Sequence, residues 1–388
     1  MTTINLDHIS ASPLLPEVQE AMITAIREFQ GNPSSQNQAG ENAAAVIETA
    51  RESVAGLLNS KVPREVVFTS SGTESVNQAI KGVAMANRSK GNHIVTSSIE
   101  HSSVNRSIKR LMQQGFRTTA VSVDNMGRVD QEEVAEAITD DTILVSIMHS
   151  NNEIGTLQPI KEIAKITKEK KVLFHTDAVD SVGVIPVDVQ ELGVDLMSFA
   201  SNPYYGPTGV GGLYIRRGVS IWPIIDGGVQ ENNRRAGTEN LIGIIGTGVA
   251  ADLAKANMDK RLVHLKELKD YFISELPNAI DEYYINGDID NSLPNLVSVS
   301  IKYIEGESIM LMLDDEGYSV STRSACATGS LRASHVLMAI GLDHADAQGT
   351  LLISPGISTT KEDIDGFLKA LADITRSLRD MSPLYNKK

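Results

Sequence analysis

Side chains that could bind an anion follow one of the short apolar runs in this sequence. Gly72 and Thr73 come soon after the run that ends at Thr69, and they open a segment with helical periodicity. Backbone N–H groups at a helix N-terminus, together with a threonine hydroxyl, are suited to holding a phosphate. Thr73 as an ordinary helix N-cap explains the same residues at least as well. Both interpretations stay open at this position.

Three further polar side chains occupy comparable places after apolar runs. His101 follows one run, Asn152 lies in the segment 151–155 after a second, and Asp177 closes a third. A histidine there is suited to stacking on a flat ring or moving protons. A buried carboxylate needs a partner such as a protonated ring nitrogen. Structural roles compete with these, because lone histidines are commonly structural and Asp177 is placed to cap the next turn.

The single cysteine, Cys326, lies among small and polar residues between Ser321 and Ser330. Arg323 is close in sequence and would favour the nucleophilic thiolate. A lone cysteine is more often a small buried hydrophobic residue, but the composition of this segment favours a reactive, accessible thiol. One cysteine also excludes an intrachain disulfide and is typical of a reducing compartment.

Short apolar strands alternate with amphipathic helices from about residue 65 to residue 200. Strands joined by helical crossovers form a mostly parallel sheet with helices on both faces. Ligands bind beyond the carboxyl ends of such strands, where the candidate residues would meet. Residues 241–256 are expected to form a buried helix, and 263–276 a separate amphipathic one. We predict an N-terminal arm at 1–15, a large α/β domain at 16–256 and a smaller α+β domain at 257–388.

Composition limits the partners of the chain. It has 388 residues, 41% hydrophobic and 22% charged, a formal net charge of −14 and a pI near 5.1. Negative charge disfavours nucleic acid and anionic membrane surfaces as the main partner. The N-terminus lacks a basic region followed by an apolar run, and we expect no segment near the roughly 18 apolar residues that a membrane helix needs. A cytoplasmic location is expected.

Taken together, the motifs resemble those of the NifS/IscS-type cysteine desulfurases over essentially the whole chain. These are class V aminotransferase-like pyridoxal phosphate (PLP) enzymes of fold type I. The matching runs are residues 31–35, 73–75, 100–101, 151–156, 175–178, 206–207, 234–240, 324–326 and 382–385. The resemblance implies a large domain with a mostly parallel seven-stranded sheet covered by helices, plus the smaller α+β domain.

The resemblance also implies a set of cofactor contacts. Gly72 and Thr73 would hold the PLP phosphate, and Thr238 would reach that phosphate from the other subunit of a homodimer. His101 would stack on the cofactor ring, and Asp177 would pair with its pyridine nitrogen.

By the same resemblance, the substrate and sulfur chemistry fall on other residues. Asn152 would lie near the substrate, and Cys326 would carry a persulfide. The sulfur would pass to an IscU-like scaffold protein for iron–sulfur cluster assembly. The C-terminal tail at 382–385 would help to dock that scaffold.

The chain departs from the family pattern at the positions that carry the chemistry. Pro203 replaces the Schiff-base lysine, and Leu352 replaces the arginine that holds the substrate carboxylate. The other replacements are Asn202 for histidine, Ala200 for serine, Asp180 for glutamine, Asn37 for histidine, and Val229, Asn232 and Asn233 for glycine, arginine and glycine. Proline neither forms an imine nor transfers a proton, and no lysine lies between Lys171 and Lys255.

The sequence therefore predicts a desulfurase-like protein in which PLP is absent or bound non-covalently and PLP-dependent desulfuration is lost. Cys326 would act as a persulfide carrier, or as the ligand of an iron–sulfur cluster shared with the scaffold. One alternative is an enzyme that binds PLP or its aminated form non-covalently and uses His101 as the base of another reaction. A second alternative is a non-catalytic regulatory subunit that pairs with an active paralogue.

Overall fold

The structure is a computed structural model that describes residues 3–322 and 333–385. This part of the chain contains twelve strands, fourteen α-helices and three short 3₁₀ or π segments. The strands are β1 (Ile4–Asn5), β2 (Val66–Thr69), β3 (His93–Ser97), β4 (Arg117–Val121), β5 (Thr142–Ser146), β6 (Leu173–Asp177), β7 (Leu196–Ala200), β8 (Gly211–Ile215), β9 (Tyr283–Asn286), β10 (Val297–Ile301), β11 (Tyr318–Ser319) and β12 (Thr350–Ile353). The helices are α1 (Pro16–Glu28), α2 (Gln38–Leu57), α3 (Gly72–Asn77), α4 (Val83–Ala86), α5 (Ser102–Met112), α6 (Gln131–Ala137), α7 (Ile160–Glu169), α8 (Val189–Leu192), α9 (Gln230–Asn233), α10 (Leu241–Ala279), α11 (Gly306–Asp315), α12 (His335–Ala339), α13 (His344–Gln348) and α14 (Lys361–Met381).

The central sheet has seven strands in the order β2-β8-β7-β6-β5-β3-β4. Only β8 runs antiparallel to its neighbours, β2 and β7, and the remaining neighbours are parallel. Alternate residues of β2 face two different apolar cores, with Val66 and Phe68 in one and Val67 in the other, as the period of two along a strand requires. The predicted mostly parallel sheet with helices on both faces is confirmed.

Strand β8 is absent from the sequence prediction because it begins with two glycines. A Cβ atom on Gly211 would lie 2.3 Å from the backbone carbon of Ser71, and one on Gly212 would lie 2.1 Å from Phe199 Cζ. Only glycine therefore lets β8 pass this close to the start of α3 and to the β7 side chains. The two glycines weaken the sequence pattern of a strand, but the close packing at these positions requires them.

Helix α10 is one continuous helix of 39 residues, where the sequence predicts two separate helices. Residues 257–262 contain neither glycine nor proline, so the helix continues through the predicted gap. Its first half contributes Ala250 and Ala254 to the core beneath the central sheet. Its second half contributes Leu268 and Phe272 to a different core. The predicted boundary after residue 256 lies inside α10, and the division into domains stays a prediction.

The same helix passes a test of length and composition for a membrane span. An 18-residue window of α10 reaches a mean hydropathy of 1.2, with 44% of its residues buried inside the protein. The expectation that no segment approaches such a span is wrong, since isoleucine, leucine, valine and alanine together give this segment its hydropathy. Core helices pass the same test, and α10 contacts α1, α2 and α14, so α10 is only a weak candidate for a span.

A second layer holds the C-terminal part of the chain together. It contains an antiparallel sheet in the order β12-β10-β9, on which α11 and α14 share a core with Leu6 near the N-terminus. Strand β1 pairs in parallel with β11. The first residues of the described chain therefore join this C-terminal layer.

Candidate functional site

The carboxyl ends of the six parallel strands lie along one edge of the central sheet, and the predicted site residues lie in the segments that follow them. Backbone contacts tie these segments together. His149 N donates to the Asp177 carbonyl at 2.8 Å. Asn151 Nδ2 donates to the Ile99 carbonyl at 3.0 Å. The end of β6, which carries Asp177, therefore meets the segments after β3 and β5, which carry His101 and Asn152.

The start of α3 brings Gly72 and Thr73 to the same edge. Ser71 is the N-cap, and its Oγ accepts a hydrogen bond from Glu74 N at 3.1 Å. The interpretation of Thr73 as the cap is therefore wrong, and Thr73 is exposed. A Cβ atom on Gly72 would lie 2.5 Å from Val179 Cγ2. Glycine at 72 thus allows α3 to begin against the segment after β6.

An ion pair attaches the segment that contains Thr238 to α3. Arg235 Nε donates to Glu74 Oε1 at 2.9 Å, and Ser70 N donates to Glu74 Oε2 at 2.8 Å. Burial alone would raise the pKa of Glu74, but the hydrogen bonds from Arg235 and Ser70 bring it below its ordinary value. Glu74 is therefore a carboxylate, and it holds this segment in place. Thr238 itself is exposed.

A buried ion pair fixes the turn α9, which precedes that segment. Arg51 Nη1 and Nη2 donate to the two Glu231 oxygens at 2.6 and 2.8 Å, and these side chains are 4% and 2% exposed. Phe68 N donates to the same carboxylate at 2.9 Å. Glu231, Asn232 and Asn233 have φ angles of 48°, 56° and 61°, which side-chain-bearing residues rarely adopt. The pair holds a turn whose backbone is intrinsically unfavourable.

His101 caps helix α5 with its own ring. Nδ1 accepts a hydrogen bond from Ser103 N at 3.2 Å and lies 2.7 Å from Ser103 Oγ. A ring nitrogen that accepts an N–H bond carries no proton, so the neutral ring holds its proton on Nε2. The acceptor lone pair of His101 is already engaged, which opposes the alternative in which this residue is the base of a different reaction.

Asp177 is a buried carboxyl group, 6% exposed. Its Oδ1 accepts a hydrogen bond from Val179 N at 3.1 Å, so it does cap the next turn. Burial raises the pKa of Asp177 to about 7, and the nearby charge of Asp180 acts in the same direction. The group is therefore poised between its acid and its carboxylate near neutral pH, and a cationic partner would shift it to the carboxylate.

Glu100 is a second buried carboxyl group at this edge, and the sequence assigned it no role. Its Oε1 accepts hydrogen bonds from Ser97 Oγ at 2.6 Å and Met148 N at 2.9 Å. Burial raises the pKa of Glu100 to about 8, so at neutral pH it is mostly the neutral acid. In the sequence, Glu100 is marked by its position directly before His101 and by the matching run 100–101 that contains both residues.

We expect Asp177→Asn to flatten the pH dependence of stability. A carboxyl group whose pKa is higher in the folded state releases its proton on unfolding, so the free energy of unfolding falls as pH rises from about 4 to about 7. Above that range the folded protein carries a buried charge. The free energy of unfolding of the variant should therefore exceed that of the wild type by up to about 4 kcal/mol at pH 8.5 and match it near pH 4.

Urea unfolding followed by circular dichroism at pH 4, 6 and 8.5 measures this difference. Asp180→Asn is the matched control, since it removes only the neighbouring like charge and should give a smaller gain with the same sign. An Asp177→Asn variant with the pH profile of the wild type would contradict the assignment of a proton to this carboxyl group.

The segment after β7 is a short 3₁₀ turn, Asn202–Tyr204, in which Pro203 and Tyr204 are buried. Tyr204 packs so closely on Gly183 that a Cβ atom there would lie 2.3 Å from Tyr204 Cβ. Tyr205 then takes a left-handed conformation with φ 70°. The turn presents no amine at the edge where Asp177 lies, and its proline has neither a nucleophilic nitrogen nor a proton to donate.

Leu352 lies in β12 and is 1% exposed. Its N–H donates to the Ser321 carbonyl at 2.8 Å, and its own carbonyl accepts from Ser321 N at 3.3 Å. The side chain packs with Leu293 and Leu296 in the core beneath the central sheet. The Leu352 side chain also lines a small cavity with Glu153, Ser298 and Ser334, so the position is buried among both apolar and polar side chains.

Cys326 and Arg323 lie outside the described residues, as do Ser324 and Ala325, so the predictions about the thiol stay predictions. Thr322 and Ala333 are the described residues that flank them. In the described ranges, no cluster of three or more histidine, cysteine, aspartate or glutamate side chains has an arrangement suited to a metal ion.

Comparisons with known sequences place this architecture in a family. The family described as aminotransferase class-V matches residues 4–367. Cysteine desulfurase IscS from Dictyoglomus turgidum is 50% identical over 380 residues, which cover 98% of this chain and 96% of the relative. Cysteine desulfurase IscS from Methanosarcina thermophila is 47% identical over 384 residues, which cover 99% of this chain and 95% of the relative.

Solved structures agree with the sequence comparisons. A NifS-like protein has a TM-score of 0.91 and 38% identity, with 97% of this chain and 100% of that chain covered. A NifS-like protein from Rickettsia africae has a TM-score of 0.86 and 31% identity, with 96% and 99% covered. The chain therefore belongs to the class-V aminotransferase family, among the homologues of the IscS/NifS cysteine desulfurases.

Proposed function

We propose that this protein serves iron–sulfur cluster assembly as a desulfurase-like sulfur carrier, with Cys326 as its reactive residue and PLP-dependent desulfuration lost. Relatives named cysteine desulfurase IscS support the general role. The observation that carries the specific proposal is the buried turn Asn202–Tyr204, in which Pro203 stands at the position of the family's Schiff-base lysine. Leu352 supports it, because the residue at the family's arginine position is a buried leucine, which has no cation for a substrate carboxylate.

The family is PLP-dependent, and the residues of this chain fit only part of that cofactor. Buried Asp177 would suit a protonated ring nitrogen, and the backbone at Gly72 and Thr73 would suit a phosphate. The aldehyde of PLP, which the family binds covalently, has no amine to react with at position 203, because that residue is proline. Asp180 adds a negative charge near Asp177. We therefore propose that PLP is absent or held non-covalently, and no step of the proposed reaction passes through it.

Sulfur transfer through Cys326 needs only thiolate chemistry. The Cys326 thiolate would attack the outer sulfur of a persulfide donor, forming one S–S bond while the donor's S–S bond breaks and its thiolate leaves. A thiolate of the IscU-like scaffold would then attack the outer sulfur on Cys326 in the same way. Both exchanges balance without an external oxidant or reductant. The same thiolate would also serve as a ligand of a cluster shared with the scaffold.

We also propose a cytoplasmic homodimer whose two subunits approach each other through the segments around Thr238. Two observations support this arrangement. Thr238 is exposed while the Glu74–Arg235 pair fixes its segment. Nearby in sequence, Trp222 and Val229 are 59% and 72% exposed, and apolar side chains this exposed are typical of surfaces that a partner covers.

The tail that we propose to contact the scaffold lies on the C-terminal layer as far as it is described. The Tyr385 ring contacts the Tyr303 ring at a tilt of 52° with a centroid distance of 5.7 Å, and Arg379 lies 5.2 Å from the centre of the Tyr385 ring. Ser382 Oγ donates to the Tyr303 carbonyl at 2.7 Å. The tail therefore has a defined starting point for a docking contact.

Cys326→Ala is expected to abolish sulfur delivery to the scaffold. The assay combines the protein, a persulfide donor, ferrous iron, an IscU-like scaffold and dithionite as the reductant that converts persulfide sulfur to sulfide, all under anaerobic conditions, and follows the cluster absorbance on the scaffold. Because alanine has no thiolate, cluster formation should fall by at least about tenfold to the protein-free rate. Ser330→Ala, in the same segment, is the matched control and should behave as wild type.

Cluster formation that is unchanged in Cys326→Ala would contradict the proposal. Co-purification of that variant with an active paralogue would then favour the regulatory-subunit alternative. The alternative of a non-covalent PLP enzyme has less support, because His101 uses its ring acceptor as a helix cap.

A further inference from the structure

A groove with a volume of about 660 Å³ lies at the edge of the central sheet opposite the candidate site. Its walls include the residues that precede β5, β6 and β7 and those that follow β8, at 138–140, 170–172, 195 and 216–220. The amino ends of the parallel strands lie at this edge, whereas the candidate site lies at their carboxyl ends. The groove therefore shares no residue with the site that carries the proposed function.

Hydrogen bonds fix the walls of this groove. Asn87 Nδ2 donates to the Ser220 carbonyl at 3.4 Å, which holds the segment after β8 against the end of α4. Thr139 N donates to Thr142 Oγ1 at 2.8 Å, which holds the segment before β5. The groove is therefore formed by the fold itself, and a ligand would not have to organise it.

Positive charge is concentrated in this groove. Five of its side chains are cationic and two are acidic, although the chain as a whole has a net charge of −14. The cationic side chains are Lys90, Lys170, Lys171, Arg216 and Arg217, and the acidic ones are Asp140 and Asp195. Like charges that cluster in this way repel each other, and a bound anion would relieve that repulsion.

Three of the five cations have no partner within the part of the chain that the structure describes. Arg216 lies 3.6 Å from a groove carboxylate, and Lys90 Nζ donates to an asparagine oxygen at 3.0 Å. In residues 3–322 and 333–385, the side chains of Lys170, Lys171 and Arg217 make neither a hydrogen bond nor an ion pair. Their donors are therefore available to a ligand.

Lys171 occupies a backbone position that suits glycine better. It follows the last turn of α7 with a φ of 58°. Lys171 N donates to the Lys168 carbonyl at 3.2 Å, and Val172 N donates to the Thr167 carbonyl at 2.9 Å. These are the hydrogen bonds of a helix end that usually carries glycine, because a Cβ atom is strained there. The lysine adds charge to the groove and no stability to the turn.

We propose that this groove binds a nucleoside di- or triphosphate. The cations Lys170, Lys171 and Arg217 would bind the phosphate oxygens, whose chain carries roughly three to four negative charges near neutral pH. Buried apolar side chains, Ile143 and Val172 among them, also line the groove and would contact the base. The volume is that of a small-molecule site. The proposal goes beyond the role of Cys326 and does not depend on it.

Calorimetric titration of the full chain with adenosine diphosphate (ADP), inorganic pyrophosphate and adenosine, all without magnesium, tests this proposal. ADP should bind at least about fivefold more tightly than pyrophosphate, because the base adds apolar contact. Adenosine should not bind, since it lacks the charge that the cations require. The affinity for ADP should also fall as the salt concentration rises.

Two variants test the cations. Arg217→Gln and Lys171→Gly should each weaken ADP binding by at least about fivefold, because each removes a charge-assisted hydrogen bond. Lys171→Gly also relieves the strained φ, so its melting temperature should not fall and weaker binding cannot come from unfolding. Lys165→Gln is the matched control, since it removes the same charge from an exposed position of α7 outside the groove. It should stay within about twofold of wild type.

Absence of ADP binding, or an affinity that neither Arg217→Gln nor Lys171→Gly changes, would overturn the proposal. An equal loss in Lys165→Gln would also overturn it, because the effect would then come from the overall charge of the protein. Equal affinities for ADP and pyrophosphate would exclude a nucleoside ligand and overturn it as well. None of these measurements involves sulfur transfer, so the proposal fails or stands independently of the Cys326→Ala assay.

Discussion

With cysteine and added PLP, this protein is expected to release sulfide about 10² to 10⁴ times more slowly than the IscS of Dictyoglomus turgidum in the same assay. This range is the rate enhancement that a positioned acid–base group contributes. Pro203 supplies neither an imine nor a base, and the ring acceptor of His101 already caps α5. Sulfide release measured against a protein-free blank gives the rate. A rate within tenfold of the relative would contradict the loss of desulfuration.

Reinstating the lysine alone should not recover this activity. Pro203→Lys restores an amine but leaves Leu352, which lies in the same buried core as Leu293 and Leu296, and leaves Asp180 beside Asp177. We expect a measurable gain only when Leu352→Arg and Asp180→Gln accompany Pro203→Lys, since carboxylate orientation and cofactor charge would be repaired together. Full activity from Pro203→Lys alone would show that the other replacements are neutral.

Arg51→Ala is expected to destabilise the fold by about 3 to 5 kcal/mol, because it leaves the Glu231 carboxylate buried without its charge partner. Both side chains of this pair are almost fully buried, and the pair holds a turn of three left-handed residues. Urea unfolding at pH 7 measures the change. Arg51→Lys should recover only part of it, since an ammonium group cannot make both hydrogen bonds to the carboxylate.

An exposed ion pair provides the control for this prediction. Lys161 and Glu191 lie 2.8 Å apart with side chains 52% and 66% exposed, so Lys161→Ala should change stability by no more than about 0.5 kcal/mol. Similar effects of Arg51→Ala and Lys161→Ala would mean that burial does not determine the strength of these pairs, and would contradict the role of the Arg51–Glu231 pair in holding the turn.

The layout of the fold is predictable from the sequence because local patterns carry it. Apolar runs that alternate with amphipathic helices indicate a parallel sheet, and polar residues after those runs indicate its functional edge. Local patterns fail where packing overrides propensity. Strand β8 begins with two glycines because close packing on Ser71 and Phe199 requires them. Glycine is rare in strands, so the sequence pattern does not indicate a strand there. Helix α10 passes from one apolar core to another without interruption, so no local sequence pattern marks the change.

The candidate site is predictable in its residue types but not in its connections. The resemblance to a family singles out Pro203 and Leu352, whereas their burial and neighbours come only from the structure. The pairs Arg51–Glu231 and Glu153–Ser334 join residues 180 and 181 positions apart. No periodicity or motif links such distant positions, because tertiary folding alone brings them together. The cap of α3 is a different case, because Ser71-Gly72-Thr73-Glu74 matches the local sequence signature of a helix start with serine as the N-cap.

The measurement that tests the central claim most directly is an absorbance spectrum of protein purified without oxygen, before and after incubation with PLP and dialysis. Reduction with borohydride and peptide mass analysis then identify any attached cofactor. Because Pro203 replaces the lysine, we predict no cofactor band after dialysis and no modified lysine. A band that survives dialysis and becomes fixed to a lysine on reduction would contradict the claim that this chain has lost the covalent PLP chemistry of its family.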